Sequence, residues 1–425
     1  MFWLFPVFFI AAIFTPNIGL FRIEYLVASA GILFSIIMGK WGIYTHFRKE
    51  LGIIFLMILS ASMSLLTQSV LGYEFIWRDA MIFVRLVFAA AAILTVALAC
   101  SRLTDFQRSH QLLVMTAILV VIITLAQYYN VYGINDKLFS IYAERYRWLI
   151  VGTSWRRALG TFGNPNYWGA LIVTLLMYIT HLIFWRNKIA YLPIAGSLFV
   201  SIIFTGSRGS LVSYIAGLII GTFIIMIKAN DKPRFGPIIL TVLILLSTTS
   251  VMGNLDKYYE NKDRFSISNT HTLNSRVEIW KTALSKSSDN IFSFLFGQGP
   301  RKAAKDKLLI GDNAYVRTWR DYGLIGLFLY LLLLYTLVQR TVSLMNSEHQ
   351  NIHVWSQSLL LMLIAWSIFE LSADTWYFGR SVAVFLSYYV LVHSVAINQI
   401  NQEKEQAPSS SSLYPATSGR PFPQK

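Results

Sequence analysis

The stretch "FTGSRGSL", residues 204–211, decides how this chain folds. Upstream lies "IAYLPIAGSLFVSII", residues 189–203, and downstream "VSYIAGLIIGTFIIMI", residues 212–227. As one helix this region would run ~58 Å at 1.5 Å per residue. That is about twice the ~30 Å of a bilayer's hydrocarbon core, so the chain has to turn back. Gly206 and Gly209 mark the easiest place, because glycine accepts positive φ. The far ends of the two arms carry Arg186 and Lys188, and Lys228 and Lys232. Lysine and arginine in short loops mark the cytoplasmic side. Arg208 therefore falls at the exterior tip of a short hairpin, against that trend. Snorkelling to lipid phosphates accounts for one such arginine. The sharper reading is a fixed cation placed to meet an anionic ligand.

The rest of the composition agrees with a membrane setting. Of 425 residues, 55% are hydrophobic and 13% charged, where soluble domains have about 25% charged. The net charge of +15 fits topology and anionic lipids better than nucleic acid. The single cysteine, Cys100, excludes disulfides and cysteine metal cages within one chain. The opening "MFWLFPVFFIAAIF" lacks a basic n-region and reads as a retained helix.

Apolar runs predict an all-α polytopic membrane protein with about twelve spans. They fall near 1–14, 25–39, 51–67, 80–100, 111–129, 166–185, 189–205, 210–227, 237–253, 322–339, 354–371 and 380–398. Basic residues then gather on one face, with both termini cytoplasmic. Residues 1–400 form one polytopic domain, and the polar segment 401–425 reads as a disordered cytoplasmic tail. Two longer exterior segments remain, about 130–165 and 254–321. The second, between spans 9 and 10, is large and partly helical, and long ordered loops are commonly functional. No internal repeat is evident, which weakens an inverted-repeat transporter.

Three further stretches carry charge that invites chemistry. In "NSRVEIWKTAL", residues 274–284, "SRVE" fits a capping box with Ser275 as N-cap and Glu278 at the third helical position. Arg276 would then sit in a first helical turn, where free N–H groups and the dipole suit a phosphate. An ordinary amphipathic surface helix fits the same pattern. In "LFGQGPRKAAKDKLLIGDNAYVRTWRDYGLIGLFLYLLLL", residues 295–334, Gly297, Gly299 and Pro300 make a turn. A basic run follows at Arg301, Lys302, Lys305 and Lys307. Asp312 precedes Asn313 and a path into a span through Gly323 and Gly326. It reads either as a helix N-cap or as a general base near the membrane surface. Across 254–321 the basic residues outnumber the acidic ones, which suits an anion arriving from the membrane. In "WRRALGTFGNPNYWGA", residues 155–170, Arg156 and Arg157 are placed to contact sugars or headgroups. An interfacial aromatic belt explains Trp155, Tyr167 and Trp168 equally well. Glu370 and Asp374 lie near the exterior end of a span. No Walker loop, H-E-x-x-H or D-x-D occurs.

Taken in order, "TGSRG" with Arg208, "SRVEIW…AL…LFGQG", and "DN" followed by nine residues and "GLIG" resemble the O-antigen ligase and lipid-linked-oligosaccharide polymerase superfamily. The resemblance covers about residues 160–333. It departs at Asp312, where the ligase pattern has histidine, and this favours a polymerase. What the resemblance implies is glycosyl transfer on the periplasmic face of a bacterial inner membrane. The donor would be a glycan on undecaprenyl pyrophosphate. The acceptor would be another lipid-linked glycan in a polymerase, or lipid A–core in a ligase. Membrane lipids and a chain-length regulator would be further partners, with no nucleic acid, metal or cofactor. Residue chemistry fits: arginine forks bind phosphate bidentately and stay charged. Arg208 and Arg276 would stabilise the departing pyrophosphate, with Asp312 as base. Arg157, Arg301, Asn313 and Arg317 would complete substrate binding. Direct displacement would invert the anomeric centre. A lipid-linked-oligosaccharide flippase is the rival class, but it would place its cations in a cavity within the spans.

Overall fold

The computed structural model describes residues 4–14, 33, 41–99, 103–137, 157–229, 271–288, 290–300, 313–373 and 379–406. Its helices, in chain order, are α1 (Leu4–Phe14), α2 (Arg48–Val70), α3 (Met81–Ala99), α4 (Leu103–Tyr128), α5 (Pro165–Arg186) and α6 (Leu192–Thr205). They continue with α7 (Arg208–Lys228), α8 (His271–Ser288), α9 (Ile291–Phe296), α10 (Ala314–Leu344), α11 (Gln350–Phe369) and α12 (Gly379–Gln406). No strand occurs among the described residues. Six helical segments there are long and apolar enough to cross a bilayer: α2 with the 3-10 turn before it, most of α4, and α5, α7, α10 and α11. The expected spans at 25–39 and 237–253 lie outside the described residues, apart from Leu33, and so do Cys100 and the tail beyond 406.

Burial separates the centre from the rim. The most apolar stretch of α5 is 94% buried, and that of α7 only 33%. An all-round apolar helix belongs in the middle of a bundle, and α5 packs against α4, α6, α7, α11 and α12. On α7, Val212, Ile215, Ile219, Phe223 and Ile227 remain exposed, as expected of a face turned to lipid tails. The opposite stripe of α7 is small. A Cβ on Gly217 would sit 2.7 Å from the Ala365 Cα, and one on Gly221 2.5 Å from Leu361. Close backbone approach through residues four apart is how helices pack without a hydrophobic driving force between them.

Long α10 is broken at Gly323, whose φ is 70° and ψ −173°. A helix break frees carbonyls that need partners where water is scarce. They are supplied from two directions. Gln298 N–H donates to the Arg320 carbonyl at 3.0 Å. From α2, the Ser64 hydroxyl donates to the Asp321 carbonyl and the Ser60 hydroxyl approaches that of Tyr322 at 3.5 Å. The break also admits the Gly297 turn: a Cβ on Gly323 would lie 2.2 Å from the Leu295 carbonyl oxygen, and one on Gly297 2.3 Å from that of Asp321. Toward the other end of α10, Arg340 reaches the fully buried Glu50 of α2 at 2.5 Å, and Tyr389 of α12 donates to the same carboxylate oxygen at 2.6 Å.

Candidate active site

The 204–211 stretch forms the expected tight turn, with its glycines used differently. Gly206 takes φ +60° and ends α6. Ser207 caps α7, accepting from Ser210 N–H at 3.4 Å and from the Ser210 hydroxyl at 2.8 Å. Gly209 does not turn; it is helical and gives room to a neighbour. A Cβ there would meet the Ser372 hydroxyl at 1.9 Å. Gly169 of α5 plays the same part, since its Cβ would lie 2.2 Å from the Ser210 hydroxyl oxygen.

Arg208 is the first residue of α7, and it is exposed. Its backbone belongs to the first turn of a 21-residue helix, where N–H groups lack helical partners and the dipole end is positive. Arg157 does different work. Its Nε donates to the Thr205 carbonyl at 2.6 Å, and its Nη2 donates to both the Gly206 carbonyl at 3.3 Å and the Asn166 side-chain oxygen at 3.2 Å. These carbonyls end α6 and have no helical partner. Arg157 therefore braces the hairpin from which Arg208 projects. Ala158 N–H adds a bond to the Phe204 carbonyl at 2.9 Å.

The tip meets two other helix ends. Ser372, which lies against Gly209, is in the turn three residues past the end of α11. Glu370, at the end of α11, accepts from Ala314 N–H through its carbonyl at 2.9 Å. Ala314 opens α10. The amino ends of α7 and α10 thus converge on one turn, Phe369–Ala373. Tyr315 strengthens this junction by donating to the Ser367 carbonyl at 2.7 Å. Glu370 is fully buried there.

Asn313, not Asp312, is the N-cap of α10: its side chain accepts from Val316 N–H at 3.0 Å. Asp312 and Arg301 lie outside the described residues. Arg317 lies one helical turn beyond Asn313, with Nε 3.5 Å from the Asp321 carboxylate. Arg320 grips the same carboxylate at 2.6 Å and 2.7 Å. Sequence reading counted Arg320 and Asp321 among exterior charges, yet both are buried. Adjacent opposite charges at the mouth of an apolar run were the available signal.

Arg276 requires a correction. Helix α8 begins at His271, so Ser275 is inside it and no capping box forms. No proline or glycine separates 271 from 275, and nothing local stops the helix sooner. Arg276 is half-buried in the second turn, so a helix dipole does not act at its side chain. Its helix, α8, packs against α9 and α10. A second correction concerns Trp168. It is wholly buried, with its indole N–H donating to Thr124 at 2.9 Å, so it is a core residue and not part of an interfacial belt. Trp155 lies outside the described residues, as does Asp374. Among the described residues no group of three or more His, Cys, Asp and Glu is placed to hold a metal.

Residues 192–331 match the family model described as O-antigen ligase. That segment runs from the start of α6 to just past the middle of α10, and it contains Arg208, Arg276, Arg301, Asp312, Asn313 and Arg317. Arg157 and the α11 turn lie outside it. No curated protein sequence matches the chain. The chain thus combines helices long and apolar enough to cross a membrane with a segment, about a third of its length, that is similar to the O-antigen ligase family, whose members are glycosyltransferase-like membrane enzymes.

Proposed function

We propose that the chain polymerises lipid-linked glycan repeats, moving a growing chain from undecaprenyl pyrophosphate to the sugar end of another lipid-linked repeat on the periplasmic face. The observation that carries this reading is the convergence of two helix amino ends, α7 with exposed Arg208 and α10 capped by Asn313, on the turn after α11. Pyrophosphate leaves with negative charge building on it as the glycosidic bond breaks. Fixed N–H dipoles and guanidinium groups aimed at that charge lower the barrier without reorganising at the moment of reaction. Arg208 is the first phosphate ligand, joined by Arg276 from α8 and by Arg301. Arg317 and Arg320 share one carboxylate, Asp321, so this wall keeps a positive balance even where it is paired. Asn313 fixes the start of α10 beside the acceptor position. Asp312, next to it in sequence, takes the proton from the attacking hydroxyl. Direct displacement inverts the anomeric carbon. An acidic residue at 312 favours polymerase over ligase within this reading. The exterior segment 254–321 supplies Arg276 and the basic run, within a single polytopic domain whose termini are both cytoplasmic.

The test is reconstitution in proteoliposomes with lipid-linked repeats. Longer glycan chains and released lipid pyrophosphate are expected. Arg208→Ala abolishes both while the protein still inserts. Arg208→Lys restores little, because a point charge does not replace a bidentate fork. Consumption of lipid A–core instead of lipid-linked repeats would reassign the protein as a ligase. Movement of intact lipid-linked sugar between leaflets, without elongation, would overturn the enzyme reading.

A further inference from the structure

Helix α9 belongs to the segment that reads from sequence as exterior, yet its composition is that of a span. Five of its six residues, "IFSFLF", are apolar, and the one polar side chain, Ser293, is buried. Ile291 and Phe292 are 64% and 62% exposed. Asn290 caps the helix, accepting from Phe292 N–H at 2.8 Å. So short a helix does not hold by itself, and its packing decides where it sits.

That packing is against α2 and α10. A Cβ on Gly323 would lie 2.2 Å from the Leu295 carbonyl oxygen, and one on Gly299 2.3 Å from the Gln68 side-chain oxygen. At the same level the Ser60 and Ser64 hydroxyls of α2 meet the carbonyls of Tyr322 and Asp321. Ser60 and Ser64 stand 11 and 15 positions beyond Lys49, at the basic end of α2. At 1.5 Å per residue that is ~16 and ~22 Å, short of the ~30 Å of hydrocarbon. Beyond this level α2 still turns Leu66 and Val70 outward, and beside the break α10 turns out Leu324, Ile325 and Phe328. The carboxyl end of α9 therefore lies ~9 Å below the end of α2, between two apolar outer faces.

The backbone is arranged as that depth demands. Irregular chain is tolerated in the apolar layer only where protein covers it. Gly297, Gln298 and Gly299, which follow α9, are all buried. Gly297 N–H donates to the Ser293 carbonyl at 2.9 Å and Gln298 N–H to that of Arg320 at 3.0 Å. The two side chains left most open, Ile291 and Phe292, are in the helix and carry no polar atom. A helix lying on a surface in water shows the reverse, with polar side chains outward.

We propose that α9 is a re-entrant helix set in the exterior leaflet, with Ile291 and Phe292 against the acyl chains of the surrounding phospholipids. Acyl chains are the fitting occupant because both helices that hold α9 already turn apolar side chains outward around its level. The segment 254–321 then dips into the membrane at α9 and leaves it again before Asn313, and α9 fills the break in α10. This placement stands whether or not the chain transfers glycans.

The first test uses the native full chain in phosphatidylethanolamine–phosphatidylglycerol vesicles, with a trace of phospholipid carrying a diazirine along one acyl chain. After illumination, adducts on residues 291–296 should come within about threefold of those on 324–331, a face exposed to lipid tails, and exceed those on 274–285 of α8 by about fivefold or more. A spin label at Ile291→Cys or Phe292→Cys, with Cys100→Ser, reads the same point separately. Oxygen, which concentrates in lipid, should relax that label more than an aqueous nickel chelate does, and a label at Glu278→Cys should show the reverse. Relaxation dominated by nickel at 291 and 292 overturns the proposal by placing α9 in water. Low access to both reagents overturns it by showing a protein cover, and so does an absence of acyl-chain adducts on 291–296 in the native chain.

Discussion

Replacing Gly323 with alanine should cost this protein its activity more than its stability, and the structure gives the scale. At φ 70° and ψ −173° Gly323 occupies a region essentially reserved for glycine, where a side chain costs ~1–3 kcal/mol. The added Cβ would also lie 2.2 Å from the Leu295 carbonyl oxygen and 2.5 Å from Gly297 N. Both are backbone atoms in a turn that cannot yield by rotating a side chain. The cheaper relief is to straighten α10. The part before the break, from Ala314 to Tyr322, is ~13 Å long at 1.5 Å per residue. Sharp helix kinks exceed about 20°, and relaxing that much swings the amino end by about 5 Å. The 2.9 Å bond from Ala314 to Glu370 cannot survive such a shift, and the junction with the Arg208 tip opens. Misplacement of about 1 Å can already cost roughly 10²-fold in rate. We expect Gly323→Ala to lose at least that in chain elongation, measured on reconstituted protein, while it still inserts and remains folded in detergent. Gly52→Ala is the control: a Cβ there meets nothing within 4 Å, and both activity and melting should stay at parental levels. Full turnover by Gly323→Ala would refute the claim that the break positions the site, and so would an equal loss in Gly52→Ala.

Other perturbations read different parts of the same frame. Arg157→Ala removes the brace on the Thr205 and Gly206 carbonyls; charged hydrogen bonds of this kind are worth about 1.5–3 kcal/mol, and thermal melting should fall together with activity. Gly217→Leu forces α7 off Ala365 and should impair folding or insertion, seen as loss of a monodisperse peak in detergent. Arg340→Ala leaves Glu50 buried without its cation and should destabilise by about 3–5 kcal/mol, whereas the double change Glu50→Leu, Arg340→Met should recover most of that, because apolar packing can replace a buried pair. A melt of the double variant no better than the single one would show that the pair does more than hold α2 to α10.

Residue chemistry and span length made the hairpin legible. Two apolar arms with basic far ends leave one place to turn, and Arg208 had to be near it. Sequence also carried the similarity to the O-antigen ligase family over 192–331, because residue order is a one-dimensional property. Local pattern misled where it was short. "SRVE" suggested a helix start at Ser275, but a helix begins where its upstream neighbours stop being helical, and residues 271–274 are helical too. Trp168 looked interfacial because it stands near a span's end. Its burial depends on Gly160, whose missing side chain leaves room for the ring: a Cβ there would lie 1.8 Å from it.

What the sequence by itself determined is the set of apolar segments, the turn at 204–211 and the charges carried between them, since each depends on neighbours along the chain. What only the tertiary structure decided is which of those charges are engaged within the protein and which stay exposed. Arg157 is spent on carbonyls 48 and 49 residues away, and the ends of α7 and α10 meet only because both rest on the turn after α11. Contacts between residues far apart in sequence leave no periodic trace within either segment, so they become visible when the helices are packed and not before.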